Sequence, residues 1–209
     1  MTTDVLLTGF APFDGAALNE SWEAVRAAAP LLGERGIAAE ALELPVEFGA
    51  ASALLTKAVR ELRPRLVIAV GLAAGRSAIT PERVAINVRD ARIPDNAGAQ
   101  PIDEPVVEGG PVGRFSHLPV KAMVAALAAD GIPAAVSQTA GTYVCNDVFY
   151  ALLHLLETEP ELAGIRGGFV HVPSADVLDS PAAARAVALM VEVALATEAD
   201  VRLVGGAEH

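Results

Sequence analysis

The chain has 209 residues, within the roughly 200 to 250 over which a single hydrophobic core can extend, and is read as one domain over its whole length. Its net charge of −11 and 20% charged residues, with no cluster of Lys and Arg, exclude a nucleic-acid backbone as partner, because phosphate binding needs grouped cations that displace counterions. The opening MTTDVLLTGF lacks the basic start and long apolar run of a secretory signal, and the most apolar helical stretch carries Arg185 and Glu192. A soluble, cytoplasmic protein without a membrane span is therefore expected.

In chain order, a β-rich run at Val5–Phe10 precedes a helical pattern over Ser21–Leu32, which Asn19 can cap and Gly36 can end. A strand is predicted at Ala39–Leu44, a helix at Gly49–Leu62, and strands at Leu66–Val70 and Val84–Val88. Asp90–His117 has no periodicity and is rich in Pro, Gly, Asp and Asn, and ordered loops of that length are commonly functional. A helix at Val120–Ala129 follows, with Pro119 suited to its first turn and Gly131 to its end. A strand at Ala134–Gln138, a helix at Asn146–Glu157, a strand at Gly168–Val172 and a helix at Pro181–Ala196 complete the pattern, and residues 205–209 are expected to fray. Strands alternating with one-sided helices predict an α/β architecture.

Cys145 is the only cysteine, so it can neither form an internal disulfide nor build a zinc site alone. It falls in SQTAGTYVCNDVFYALLHLLE, where a predicted strand, a glycine turn and a helix start follow one another. At a helix N-terminus, free amides and the dipole favour a thiolate and can receive an oxyanion. The alternative is a small buried hydrophobe. A nucleophilic thiol needs a base. Of the histidines, His209 is terminal, His154 lies on the following helix, His117 falls in the long loop, and His171 ends a predicted strand. Carboxyl ends of parallel strands gather on one face, so His171 is the one best placed to meet Cys145. Glu82, Asp90, Asp95, Asp103 and Asp147 are all candidates to orient the imidazole, and spacing does not choose among them.

Four segments resemble the pyrrolidone carboxyl peptidase, or pyroglutamyl peptidase I, family: LLTGFAPFDG with NESWEAV near the start, TPERVAINVRDARIPDNAG at 80–98, TAGTYVCND at 139–147 and GGFVHVP at 167–173. The resemblance implies a single α/β/α sandwich with a twisted, mixed but mostly parallel sheet of the phosphorylase and hydrolase kind. It implies a cysteine exopeptidase that releases N-terminal pyroglutamate from peptides, with Cys145 as nucleophile, His171 as base and Glu82 as third member, without metal or organic cofactor. It also implies a homotetramer. Phe10, Phe13, Leu72, Tyr143 and Val144 match its ring-binding regions, and Arg92 matches a residue near the reacting carbonyl. Within VGLAAGR, Leu72 and Ala74 stand where the family more typically has glutamine and glycine, which bears on ring specificity. Two other readings are a catalytically silent lactam-binding homologue and a nucleoside phosphorylase-like enzyme that uses the Gly-containing turn for phosphate.

Overall fold

A computed structural model describes residues 3–206; His209 and the rest of 207–209 lie outside the described residues. Five strands form the main sheet: β1 (Val5–Phe10), β2 (Ala39–Leu44), β3 (Leu66–Leu72), β4 (Thr80–Pro81) and β7 (Arg166–Val172), in the order β2-β1-β3-β7-β4. All neighbours are parallel except β4, which runs antiparallel to β7. The short strands β5 (Val84–Ile86) and β6 (Gly113–Phe115) form a separate antiparallel pair.

Two apolar layers show why the sheet is sandwiched. The first joins Leu7, Ile68 and Val170 to α1 (Glu20–Glu34), α3 (Val120–Ala129) and α5 (Ser180–Ala196). The second joins Leu6, Val67, Ala69 and Phe169 to α2 (Ala50–Leu62) and α4 (Val144–Thr158). The central strands are buried on both faces, which explains their near-continuous hydrophobic sequences, whereas edge strand β2 alternates and is partly exposed. The α/β/α sandwich with a mixed, mostly parallel sheet is the fold expected from the sequence.

Local chemistry fixes the element ends. The Asn19 side chain accepts from the Ser21 amide to cap α1, Asp179 caps α5, whose first turn contains Pro181, and Gly36 and Gly131 leave α1 and α3 with φ of 77° and 74°. Pro119 is at the cap position of α3, one step before the first turn. Ala134–Gln138 is not a regular strand: it makes only isolated parallel bridges, Ile79 with Ala134 and Glu82 with Ser137, beyond the short strand β4. Helix α4 starts at Val144, two residues before the sequence pattern implied. The long loop after Asp90 contains β6 and is held by Asp95, buried and accepting from the amides of Phe48, Ala97 and Ala99.

Close packing of α1 on β1 depends on Gly9. A Cβ there would lie 2.6 Å from the Trp22 Cα and 2.7 Å from the Ser21 carbonyl oxygen, both backbone atoms that cannot rotate away. In the same region, the Ser21 hydroxyl accepts from the Phe10 amide at 3.0 Å. Gly9→Ala is expected to destabilise the protein by about 2 kcal/mol or more. Urea unfolding measures this as a lowered midpoint at unchanged slope; a wild-type midpoint would contradict the packing described.

Candidate active site

The carboxyl ends of β1, β3 and β7 converge with the start of α4 around a cavity of about 170 Å³ lined by Phe10, Phe13, Asn19, Val46, Leu72, Ala140, Tyr143, Val144, Cys145 and His171. Tyr143 is the N-cap of α4 and supplies no side-chain cap, and the first intrahelical bond is from the Asp147 amide to the Tyr143 carbonyl. The amides of Val144, Cys145 and Asn146 thus have no acceptor within the helix. Two buried side chains just after the cysteine pin this helix end. Asn146 accepts from the Ile86 amide and donates to the Ile86 and Val88 carbonyls. Asp147 accepts from Ser52 Oγ, the Gly49 amide and Arg89 Nε.

Sheet register brings thiol and imidazole together. Gly71 is paired with His171, and paired residues in a parallel sheet present side chains to the same face. The ideal Cβ direction of Gly71 points at Cys145 Sγ, 2.9 Å away, and at the Phe169 ring, 2.8 Å away. The sulfur therefore lies over a bare backbone position beside His171. Its neighbour on the same face of β7, Phe169, packs at 4.9 Å between ring centroids.

Glu82 arrives from the antiparallel side. Thr80 pairs with His171 and the Glu82 amide donates to the Phe169 carbonyl, so Glu82 is diagonal to His171 and within side-chain reach. Its Oε1 lies 2.7 Å from His171 Nδ1. With Nδ1–H donating a hydrogen bond to this carboxylate, Nε2 holds the lone pair that can take a proton from the thiol. Glu82 is 0% exposed and His171 4%.

Oε1 of Glu82 also accepts from Arg76 Nη1 at 2.6 Å. The same guanidinium donates to Thr80 Oγ1 and, through Nη2, to the Thr139 carbonyl at 2.9 Å. Burial pushes the Cys145 thiol up to about 12 and the Glu82 charge adds to this; Arg76 and the thiol's contact with its own backbone amide oppose it. Burial likewise holds His171 below its ordinary 6.5, against the hydrogen bond and charge of Glu82 and with the help of Arg76. Loss of water around the sulfur thus works against the thiolate that the helix amides favour.

Of the residues singled out in the sequence, Cys145, His171, Phe10, Phe13, Leu72, Tyr143 and Val144 line the one cavity, and Glu82 contacts His171 from behind it. Tyr143 sits at 5.3 Å from Phe48 and 6.5 Å from Phe13, ring to ring. Arg92 is exposed and is not among the lining residues; its carbonyl accepts from Gln100. His154 and His117 belong to a separate group around Arg114 and Glu157. Sequence reading missed Asn19 as a lining residue, having seen only its cap, and missed Arg76, which sits at the end of the VGLAAGR turn noted for other reasons.

A thiol at a helix head, an imidazole at a strand end and a buried carboxylate behind it form an arrangement suited to nucleophilic acyl transfer. The family profile described as pyroglutamyl peptidase matches residues 3–200. A pyrrolidone-carboxylate peptidase of Klebsiella pneumoniae (strain 342) is 52% identical, with 98% of this chain and 99% of that protein aligned; one of Cupriavidus necator (strain ATCC 17699 / DSM 428 / KCTC 22496 / NCIMB 10442 / H16 / Stanier 337) is also 52% identical with the same coverage. The crystal structure of pyroglutamyl peptidase I from Bacillus amyloliquefaciens superposes with a TM-score of 0.89 at 40% identity, covering 98% of this chain and all of that one (100%). The pyrrolidone carboxyl peptidase of Thermococcus litoralis gives 0.86 at 35% identity, with 98% and 100% covered. The chain belongs to the pyroglutamyl peptidase family of cysteine peptidases. The phosphorylase alternative is set aside accordingly: in the turn it relied on, Arg76 is committed to Glu82.

Gly71→Ala would put a methyl group against the sulfur. With the sulfur as the attacking atom, peptidase turnover is expected to fall about tenfold or more, because misplacement by about 1 Å is costly. Steady-state kcat measures the effect, and wild-type turnover would show that the sulfur does not rest on Gly71.

Proposed function

We propose that the protein hydrolyses the amide bond after an N-terminal pyroglutamyl residue of peptides, with Cys145 as nucleophile, His171 as general base and acid, and Glu82 orienting the imidazole. The observation that carries this reading is the 2.7 Å contact between Glu82 and His171 Nδ1 on the sheet face where Gly71 makes room for Cys145 Sγ. The family supplies the chemical class; the cavity supplies the reason for a lactam.

A pyroglutamyl ring is flat, small and uncharged, and Phe10, Phe13, Leu72, Tyr143 and Val144 offer it apolar contact. The Tyr143 hydroxyl is committed to the Pro94 carbonyl. Asn19 gives one Nδ2 hydrogen to the Ala11 carbonyl, leaving the second for the lactam oxygen. Leu72 adds apolar contact and no hydrogen bond from its side chain, so ring selection falls to shape, Asn19 and backbone groups. A blocked N-terminus needs no carboxylate to receive an ammonium group.

As the sulfur attacks the carbonyl carbon, its proton passes to His171 Nε2, and the imidazolium so formed is stabilised by Glu82. The free amides at the head of α4 receive the oxyanion. Collapse breaks the C–N bond while His171 returns the proton to the leaving amine, giving a thioester. Water, deprotonated by His171, then attacks; pyroglutamate leaves and the sulfur regains its proton. In this reading Arg92, on the exposed loop, supplies a more distant positive charge.

We also propose a cytoplasmic homotetramer. Among the described residues no helix is long and apolar enough to cross a membrane, and Val112, Phe115, Leu203 and Val204 expose apolar side chains that a second copy could cover.

Hydrolysis of a chromogenic pyroglutamyl amide in the presence of a chelator tests the chemistry. Cys145→Ser is expected to lose about 10³-fold or more in kcat, and Glu82→Gln about 10²-fold, with KM within about threefold for Glu82→Gln. Equal turnover by wild type and Cys145→Ser would remove Cys145 from the reaction. The pH profile supplies a second prediction. Because His171 is held below 6.5, protonation disables the base only under more acidic conditions, so kcat/KM should rise to its plateau below pH 6.5. An acid limb centred above that value would contradict the burial argument.

A further inference from the structure

We propose that Arg76 is a positioning residue for this reaction, its guanidinium fixing the Glu82 carboxylate against His171 and balancing its charge. The inference rests on the Cys145–His171–Glu82 reading above. Glu82 has no exposed surface and only one of its oxygens is engaged: Oε1 accepts from both His171 and Arg76, while Oε2 has no hydrogen-bond partner. A carboxylate so buried is costly unless a compensating cation stands beside it. Arg76 is that cation. Its side chain is 28% exposed, so it keeps part of its own hydration while reaching the buried oxygen.

The fork of the guanidinium does more than neutralise. Nη1 holds Thr80 Oγ1 and Glu82 Oε1, and Nη2 holds the Thr139 carbonyl. One side chain therefore connects the turn after β3, strand β4 with the acid that follows it, and the segment leading to Cys145. A lysine ammonium could supply the charge but not this planar three-way contact. The charged or titratable side chains facing Glu82 are His171 from β7, Arg76 from the turn after β3, and Cys145 from the head of α4. Arg76 does not line the cavity, so its loss should leave ring binding intact.

The Arg76 charge lowers the proton affinity of His171, so removing it raises that affinity. In Arg76→Met the acid limb of kcat/KM is expected to move up by about one pH unit, with kcat down about tenfold and KM within about twofold. Arg76→Lys should keep the limb near its wild-type position yet recover only part of kcat, separating charge from geometry. An unmoved or lowered limb in Arg76→Met, or a change confined to KM, overturns the proposal. If Arg76→Met does not fold, as judged by near-ultraviolet circular dichroism, Arg76→Lys decides: wild-type kcat there overturns it and reduced kcat at an unmoved limb supports it. Cys145→Ser in the same assay separates the two ideas. Retained turnover in that variant defeats the triad reading, whereas an inactive Cys145→Ser with an unmoved limb in Arg76→Met defeats only the role of Arg76.

Discussion

A single carboxylate oxygen, Glu82 Oε1, shared between an imidazole and a guanidinium 2.7 and 2.6 Å away, is the constraint around which the site is organised. A buried negative charge is tolerated only with partners in place, and both partners lie on other segments of the chain. His171 comes from the end of β7, Arg76 from the turn after β3, and Glu82 from the residue after the short antiparallel strand β4. The sheet thereby converts an electrostatic requirement into a geometric one. Parallel strands deliver Gly71 and His171 side by side, and the one antiparallel edge brings the acid back towards them.

The thiol follows from packing on the same face. Helix α4 is anchored by Asn146 and Asp147, whose polar groups are satisfied by β5, the segment after it, and α2. These contacts set the helix head so that Cys145 Sγ rests above Gly71, where any side chain would collide. Burial raises the proton affinity of the thiol and lowers that of the imidazole. The free amides at the head of α4 stand on one side of the pair and Glu82 on the other.

Much of this was legible in the sequence, for identifiable reasons. Alternating strands and one-sided helices point to an α/β architecture, because local periodicity reports which face of each element is buried, and the family resemblance implies the sandwich. Cys145 and His171 are expected to meet because each reads as lying at a strand end, and such ends share one rim of a parallel sheet; His171 does stand at the end of β7, whereas Cys145 reaches that rim from a segment that makes only isolated bridges. Glu82 could not be chosen from composition or spacing; family resemblance pointed to it, and its contact with His171 depends on a two-residue strand too short to leave a pattern. Ala134–Gln138 reads as a short β-rich run between helices, yet it pairs only at isolated bridges. Arg76 was invisible as part of the site because its three acceptors are brought together only by folding.

The central claim, that the sulfur of Cys145 carries the acyl group, is tested most directly by acid-quenching the enzyme during turnover of an activated pyroglutamyl ester and locating the adduct by peptide mass spectrometry. The account predicts one pyroglutamyl group per chain, on the peptide containing Cys145, removable by hydroxylamine as a thioester. An adduct on a different residue, or wild-type turnover with no adduct at times when the acyl intermediate should accumulate, would contradict it.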